Sequence, residues 1–480
     1  MQKNNKPLAV MILAAGQGKR MHSELPKVLH EIAGQSLLFH VLKALEAVRD
    51  RVSVGIVVGH GKEAVEAAVE KSGISASFSG GISFIPQSEQ KGTGHAARCA
   101  MDSPWGKKIR AQGAAVLVLP GDLPLIPASL IGALAEPFKA KTVLRLLTCD
   151  FENPFGYGRV LRKGKNVLRI VEERDATPTE KRIREVAASI YAFDAKFLAE
   201  SLPKLTTSNA QGEYYLTDLV ARASKIKSGT EILKWSSAED LRGVNNRYEL
   251  SEAGRIFNAR LIRKWAEAGV SFRDLASTWL DSSVELEADV TVGPGVVLQG
   301  KTIVRKGATL GPHVVLKDVE VGEGANIKTG SVAEASSIGR GVHLGPYAHL
   351  RPDSVVGDGS KIGNFVELKK TKIGNKTNVS HLSYLGDAEV GNHVNIGCGF
   401  ITCNFDGRVI EGQRKHRTLI EDDVFMGSDC QTVAPVRIGK GAYVASGSTI
   451  TQDVEPEALA IARSRQVNKL GYARKLKPET

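Results

Sequence analysis

From about residue 280 to residue 455 an aliphatic side chain returns at every sixth position. Ile338, Leu344, Leu350, Val356, Ile362 and Leu368 keep strict register, and Gly339, Gly345, Gly357 and Gly363 follow four of them. With one-residue slips the phase continues through Ile373, Val379, Leu385, Val390 and Ile396. It resumes at Ile420, Met426, Thr432, Ile438, Val444 and Ile450. A period of six fits neither the 3.6-residue turn of a helix nor the alternation of an ordinary strand. It suits a coil with three flat faces of six residues. The aliphatic side chain is then expected to point inward at each corner, with a tight turn after it that favours glycine. Stacked coils of this kind bury one continuous aliphatic column. The register breaks at about residues 403–418, CNFDGRVIEGQRKHRT, which predicts a loop, and loops on rigid scaffolds often carry function.

The first half has another rhythm. Val10–Leu13, Val54–Val58, Ala115–Leu119 and Val143–Leu147 are short apolar runs that read as buried strands. Leu37–Val48 and Lys62–Val69 read as helices between them. Such alternation predicts a mainly parallel, Rossmann-like sheet wrapped by helices. The expected organisation is therefore an α/β domain over 1–245, a linking helix over 246–268, the solenoid over 269–461 and a basic tail over 462–480. That tail either packs on a neighbour or has no fixed structure.

Composition narrows the function classes. At 480 residues the chain is too long for one ordinary core. No apolar run approaches the roughly 20 residues of a membrane span. The charged start and short apolar stretch at the N-terminus mimic a signal peptide. Basic residues and a glycine turn follow, however, rather than a small-residue cleavage site. Five cysteines without regular spacing argue against a disulfide framework and for a reducing cytoplasm. The formal charge of +12 serves either solubility or attraction to anions such as nucleotides and sugar phosphates. No stripe of basic residues interleaved with aromatics points to nucleic acid.

Leu13-Ala14-Ala15-Gly16-Gln17-Gly18-Lys19-Arg20 follows the first strand. Small residues there let the backbone approach a base and phosphates. The spacing is not that of a Walker loop. Lys27 adds a cation, although a tight turn with surface cations would look the same. QSEQKGTGHA, with Gln87, Gly92 and Thr93, is a second small-residue turn before a helix, and Gln87 could read a base edge. Asp122 lies just beyond an apolar strand of a parallel sheet, well placed for a Mg²⁺ ligand although an aspartate there more often only serves the turn, and Asn245 is a candidate second oxygen donor. Phosphoryl-type transfer needs positioning and charge neutralisation rather than a nucleophilic side chain.

These stretches, with LPKVLH, PFGYGRV, VEERDAT, NAQGEYYLTD and GVNNR, resemble the nucleotidyltransferase domain of the bifunctional bacterial GlmU family. RPDSVVGDGSKIGNFVELKK, HLSYLGDAEVG, NIGCGFITCNFDG and DVFMGSD extend the resemblance over nearly the whole chain, in the same domain order. It implies a left-handed parallel β-helix behind the α/β domain. It also implies two activities of UDP-N-acetylglucosamine synthesis: acetyl-CoA-dependent acetylation of glucosamine-1-phosphate, and Mg²⁺-dependent uridylyl transfer from UTP to N-acetylglucosamine-1-phosphate. In the first domain the resemblance implies that Leu13, Ala14, Ala15 and Gly16 line the uridine pocket. Gln87, Gly92 and Thr93 would recognise uracil, and Arg20 and Lys27 would contact phosphates. Asp122 and Asn245 would hold Mg²⁺, and Gly158, Glu172 and Asn245 would face the sugar. In the second it makes His381 the general base. Arg351, Lys369, Tyr384 and Asn395 would grip the sugar phosphate, and Cys398, Asn404, Phe405, Ser428, Ser446 and Arg463 would contact acetyl-CoA. A homotrimer with sites between subunits is implied as well.

The chain departs from the family pattern in places. Pro120 precedes Gly121-Asp122 where the family has tyrosine. Ala187-Ala188-Ser189 replaces Asn-Thr-Gly, so a side chain that helps bind the sugar is missing. Cys398, Phe405 and Ser446 replace alanine, tyrosine and alanine; Cys398 has no evident basic partner and is expected to pack rather than react. The loop Arg408–Arg417 is longer than usual and carries Arg408, Arg414, Lys415, His416 and Arg417. It would touch coenzyme A phosphates or be solvated. A front site of altered sugar preference beside a working acetyltransferase is therefore an alternative, and a non-catalytic β-helix scaffold is a third reading.

Overall fold

The computed structural model describes residues 7–407, 409 and 412–476, so Arg408 and the end of the tail lie outside the described residues. The chain divides between Phe257 and Asn258 into two compact units.

The first unit is built on one mixed sheet. Its order is Thr230–Trp235, Leu144–Asp150, Glu185–Asp194, Ala115–Pro120, Leu8–Ala14, Val52–Val58, Ile82–Pro86, with the hairpin Gly158–Lys163/Asn166–Val171 joined to Glu185–Asp194. Neighbours run parallel except Glu185–Asp194, which is antiparallel to both its partners in this order. Leu8–Ala14 lies in the middle. Val10 and Ile12 enter the core on one side and Ala9 and Met11 the core on the other. A strand buried on both faces needs a continuous apolar run, which is why LAVMILA shows no alternation. Lys62–Ser72 is a helix as expected. The expected helix Leu37–Val48 keeps α-geometry only over Leu37–Ala44 and tightens to a 3₁₀ turn over Leu45–Arg51. Ser36 caps its start by accepting from Phe39 N at 3.2 Å.

The second unit carries three parallel sheets of 11, 10 and 9 short strands, the left-handed parallel β-helix. Coils advance 17 or 18 residues, as in the pairings Ile338↔Val356 and Val356↔Ile373. One expectation is corrected. The aliphatic residue sits inside each face, as the second residue of a two-residue strand such as Val355–Val356, and the chain turns only afterwards, at 357–360. A second buried position lies two residues before it. Ser360, Thr371 and Thr377 occupy it, each fully buried, and their hydroxyls donate to Gly374 O, Leu385 O and Gly391 O of the next coil at 2.7, 2.8 and 2.7 Å. Those bonds tie the buried hydroxyls of one coil to carbonyls of the next, so the polar groups inside the column are satisfied.

Arg247–Glu267 is one helix. Ala253 and Ile256 pack with Ile32, Leu37 and Val244 in the first unit, and Ile262 joins the aliphatic column of the second. Among the described residues no helix is long and apolar enough to cross a membrane. All five cysteines are free.

Candidate functional site

The first unit holds a cleft of about 1160 Å³ at the ends of its central strands. Leu13, Ala14, Ala15, Gly16, Arg20, Lys27, Gln87, Gly92, Thr93, Asp122, Gly158, Glu172 and Asn245 all line it, with Pro120 and Ala187-Ala188-Ser189. Gly18 explains the local path of the first turn. Its φ is +60°, and a Cβ there would lie 2.7 Å from Lys27 Cβ, so only glycine lets Lys27 turn into the cleft. The second turn is tied to the first by Gln90, whose Nε2 donates to Ala15 O at 2.5 Å.

Three of these side chains meet. The Lys27 ammonium pairs with the Asp122 carboxylate, and Asn245 Oδ1 lies 3.4 Å from the same nitrogen. Two oxygen donors thus converge on one positive charge. Glu249, which the sequence reading missed, fixes the second donor. Its Oε2 accepts from Asn245 N and Nδ2 at 2.7 and 3.1 Å, which leaves the Asn245 amide oxygen turned to the Lys27 ammonium. Glu249 and Asn246 also bond each other reciprocally, as N3 and N-cap residues of the helix. The available signal was this capping pattern directly after Asn245.

At the other end of the cleft, Glu172 is nearly enclosed. Burial pushes its carboxyl above the usual carboxylate range, Thr217 Oγ1 donating at 2.9 Å opposes the shift, and the charges of Asp175 and Asp218 add to it. A Cβ on Gly158 would lie 2.6 Å from Ile170 Cγ2 and 3.3 Å from Glu172 Oε2, so glycine is what lets the hairpin close beside this carboxyl. Ser189 stands at φ +57°, within an irregular stretch of the Glu185–Asp194 pairing. A side chain in the left-handed region costs roughly 1–2 kcal/mol. Ser189→Gly relieves that strain but takes from the buried Tyr191 hydroxyl the partner it finds in Ser189, so it is expected to change the stability of the first unit by no more than about 1 kcal/mol. Chemical denaturation with an unchanged m-value checks it.

On the β-helix, His381 occupies the corner between the 11-stranded and 10-stranded sheets. Its Nδ1 lies 2.7 Å from Asn364 Oδ1, the residue beside it in the preceding coil. An amide oxygen only accepts, so Nδ1 carries the proton and Nε2 keeps its lone pair. Asn364 was not anticipated; its only signal was the 17-residue coil spacing. The face that follows carries Arg351, paired with Glu367 at 3.0 Å, together with Lys369 and Tyr384. Tyr384 bonds Asn404, which donates to Asp387 Oδ2 at 2.6 Å, and burial pushes the phenol up. Cys398, Ser428 and Ser446 stack along the His381 corner in later coils, and Arg463 donates to Ser446 O at 2.8 Å. Asn395 lies on the other sheet, beside Asn378, and one chain does not bring it to Lys369 and Tyr384. In the long loop Lys415 stands over the exposed Phe405 ring at 4.2 Å, Arg417 pairs with Glu389 at 3.0 Å, and His416 is buried beside Asp406. Arg414 is exposed.

Comparison with known proteins covers both units. Residues 10–175 match the MobA-like NTP transferase domain family, and residues 335–370 match the bacterial transferase hexapeptide (six repeats) family. Among curated proteins, the Bifunctional protein GlmU of Trichlorobacter lovleyi is 43% identical over 470 residues, 97% of this chain and 98% of that protein. The Bifunctional protein GlmU of Syntrophotalea carbinolica is 45% identical over 463 residues, 96% and 95% of the two chains. That of a Geobacillus species is 42% identical over 473 residues, 97% of each.

Proposed function

The chain belongs to the bifunctional GlmU family, and from that premise we propose how its two units divide the work. It is a nucleotidyltransferase and an acyltransferase in one chain. The β-helix transfers acetyl from acetyl-CoA to glucosamine-1-phosphate. The α/β unit transfers uridylyl from UTP to the resulting N-acetylglucosamine-1-phosphate and releases pyrophosphate.

In the first reaction the amine of glucosamine-1-phosphate attacks the thioester carbonyl, His381 Nε2 takes the proton, and the coenzyme A thiolate leaves. Arg351 and Lys369 hold the phosphate, and Tyr384 and Asn395 the sugar. Asn404, Phe405, Cys398, Ser428, Ser446 and Arg463 follow the coenzyme. Asn395 stands on a different sheet from Lys369, which favours sites completed between copies of the chain in a homotrimer. In the second reaction a sugar-phosphate oxygen attacks the α-phosphorus of UTP and pyrophosphate departs. Leu13 to Gly16 bed the uridine, Gln87, Gly92 and Thr93 meet the base, Arg20 and Lys27 grip phosphates, and Gly158 and Glu172 face the sugar. The convergence of Asp122 and Asn245 oxygens on one cationic point fits Mg²⁺, a hard ion that takes few protein oxygens and shares its remaining ligands with phosphates. When bound, it neutralises charge developing on the phosphates. The product serves cell-envelope precursor synthesis in the cytoplasm.

The observation that carries this reading is the meeting of thirteen residues from separate stretches of the sequence in one cleft. The test is pyrophosphate release from UTP and N-acetylglucosamine-1-phosphate with Mg²⁺. Robust release supports it. Little release beside intact acetyl transfer would mean that the front site, with its Pro120 and Ala187 departures, has changed its sugar or lost its function. Glu249→Ala is expected to raise the Mg²⁺ concentration for half-maximal uridylyl transfer about tenfold, because residues that orient metal ligands typically cost that much. Mn²⁺ binding in the presence of UTP should weaken in parallel.

A further inference from the structure

Gln87 follows the strand Ile82–Pro86 and is 5% exposed, yet it lines the cleft. Its Nε2 lies 3.3 Å from Gly92 O and 3.1 Å from His95 Nδ1. A carbonyl oxygen can only accept, so the nitrogen end of the amide must point this way. Its other proton then goes to His95 Nδ1, which must offer a lone pair. The His95 proton therefore resides on Nε2, 3.8 Å from Cys99 Sγ, a weak acceptor. His95 is held in place on the helix Thr93–Asp102, whose neighbouring Gly94 N donates to Tyr214 O at 2.8 Å. Both amide protons of Gln87 are thus used within the protein. Its Oε1, to which no group donates among the described residues, is the atom left to meet a ligand.

We propose that His95 is a specificity-positioning residue: with its Nδ1 lone pair turned to Gln87, it holds the amide so that the carbonyl oxygen meets the base and the site takes uracil rather than cytosine. This rests on the reading of Gln87 as the side chain that meets the base. Uracil carries a hydrogen on N3, which an amide oxygen accepts. Cytosine carries a lone pair there, which an amide oxygen opposes. To accommodate cytosine the amide would have to turn over. Its oxygen would then face two acceptors, Gly92 O and His95 Nδ1. Thymine shares uracil's N3–H edge, so this device does not separate those two bases.

The experiment measures kcat/KM for UTP, CTP and dTTP with the same sugar phosphate and Mg²⁺. Taking ratios within one preparation cancels any loss of folded protein. His95→Ala is expected to lower the UTP/CTP ratio about tenfold, the scale of one buried hydrogen bond, and to leave UTP/dTTP unchanged. His95→Asn, whose Oδ1 can accept from Gln87 in place of Nδ1, should restore the UTP/CTP ratio. An unchanged UTP/CTP ratio in His95→Ala, or an Asn variant as unselective as the Ala variant, would overturn the proposal. Gln87→Ala separates the two levels. A lowered UTP/CTP ratio there with an unaffected ratio in His95→Ala removes only the role of His95. An unchanged ratio in Gln87→Ala removes the base-reading premise and the proposal with it.

Discussion

His381→Ala is expected to slow acetyl transfer to glucosamine-1-phosphate by about 10²–10⁴-fold, the usual contribution of a positioned general base, and to leave uridylyl transfer from supplied N-acetylglucosamine-1-phosphate at its full rate. The amine must lose a proton as it attacks the thioester, and His381 ends the strand Asn378–His381 at the corner that leads onto the Lys369 and Tyr384 face. Its protonation geometry is set by Asn364, whose Oδ1 claims the Nδ1 proton at 2.7 Å and turns the Nε2 lone pair outward. Asn364→Ala should therefore be milder than His381→Ala, roughly tenfold, because it frees the tautomer without removing the base. Coupled assays of both activities on one preparation check this. If His381→Ala keeps full acetyl transfer, another group takes the proton and the assignment is wrong. Retained uridylyl transfer in the same sample shows that the lost activity does not come from global unfolding.

How far the sequence revealed this arrangement depended on what each signal encodes. Ile338 to Leu368 announced the β-helix because one buried column imposes one residue type at one spacing. The same pattern misplaced that residue at the corner, because period alone does not say where in a six-residue face the inward position falls. The hydroxyl residues two positions earlier, Ser360 and Thr377, were invisible as core because they are polar; they are buried only because a carbonyl of the next coil accepts from them. In the first unit, strands buried on both faces, such as Val52–Val58, stood out as apolar runs. Glu185–Asp194, with Ala187, Ala188 and the left-handed Ser189, did not, since its irregular pairing breaks any alternation. The cleft residues were named through small-residue turns and family resemblance. The groups that orient them, Glu249, Asn364 and His95, act through contacts between coils or across a single turn; Glu249 carried the signal of a capping pattern, whereas Asn364 and His95 lie inside recognised stretches whose spacing does not say which neighbour they hold.

Asp122→Ala is expected to lower uridylyl transfer by at least about 10³-fold at saturating Mg²⁺, with acetyl transfer unchanged. A metal ion on a transferring phosphoryl group is worth several kcal/mol, and each 1.36 kcal/mol is tenfold in rate. Asp122 is the carboxylate that pairs with Lys27 where Asn245 Oδ1 also meets it, so alanine removes the charge that would hold the ion and leaves a neutral amide oxygen in its place. It also strips Lys27 of its partner. The lysine side chain is only 15% exposed, and an ammonium so placed without its carboxylate destabilises the cleft. Asp122→Asn separates the two effects. It keeps an oxygen in place but not the charge, so transfer should stay low while thermal stability recovers part of what the alanine loses. Extra Mg²⁺ should rescue the asparagine variant slightly and the alanine variant not at all. Full transfer by Asp122→Ala would end the metal assignment. Full transfer by Asp122→Asn alone would mean that the oxygen's position matters there and its charge does not.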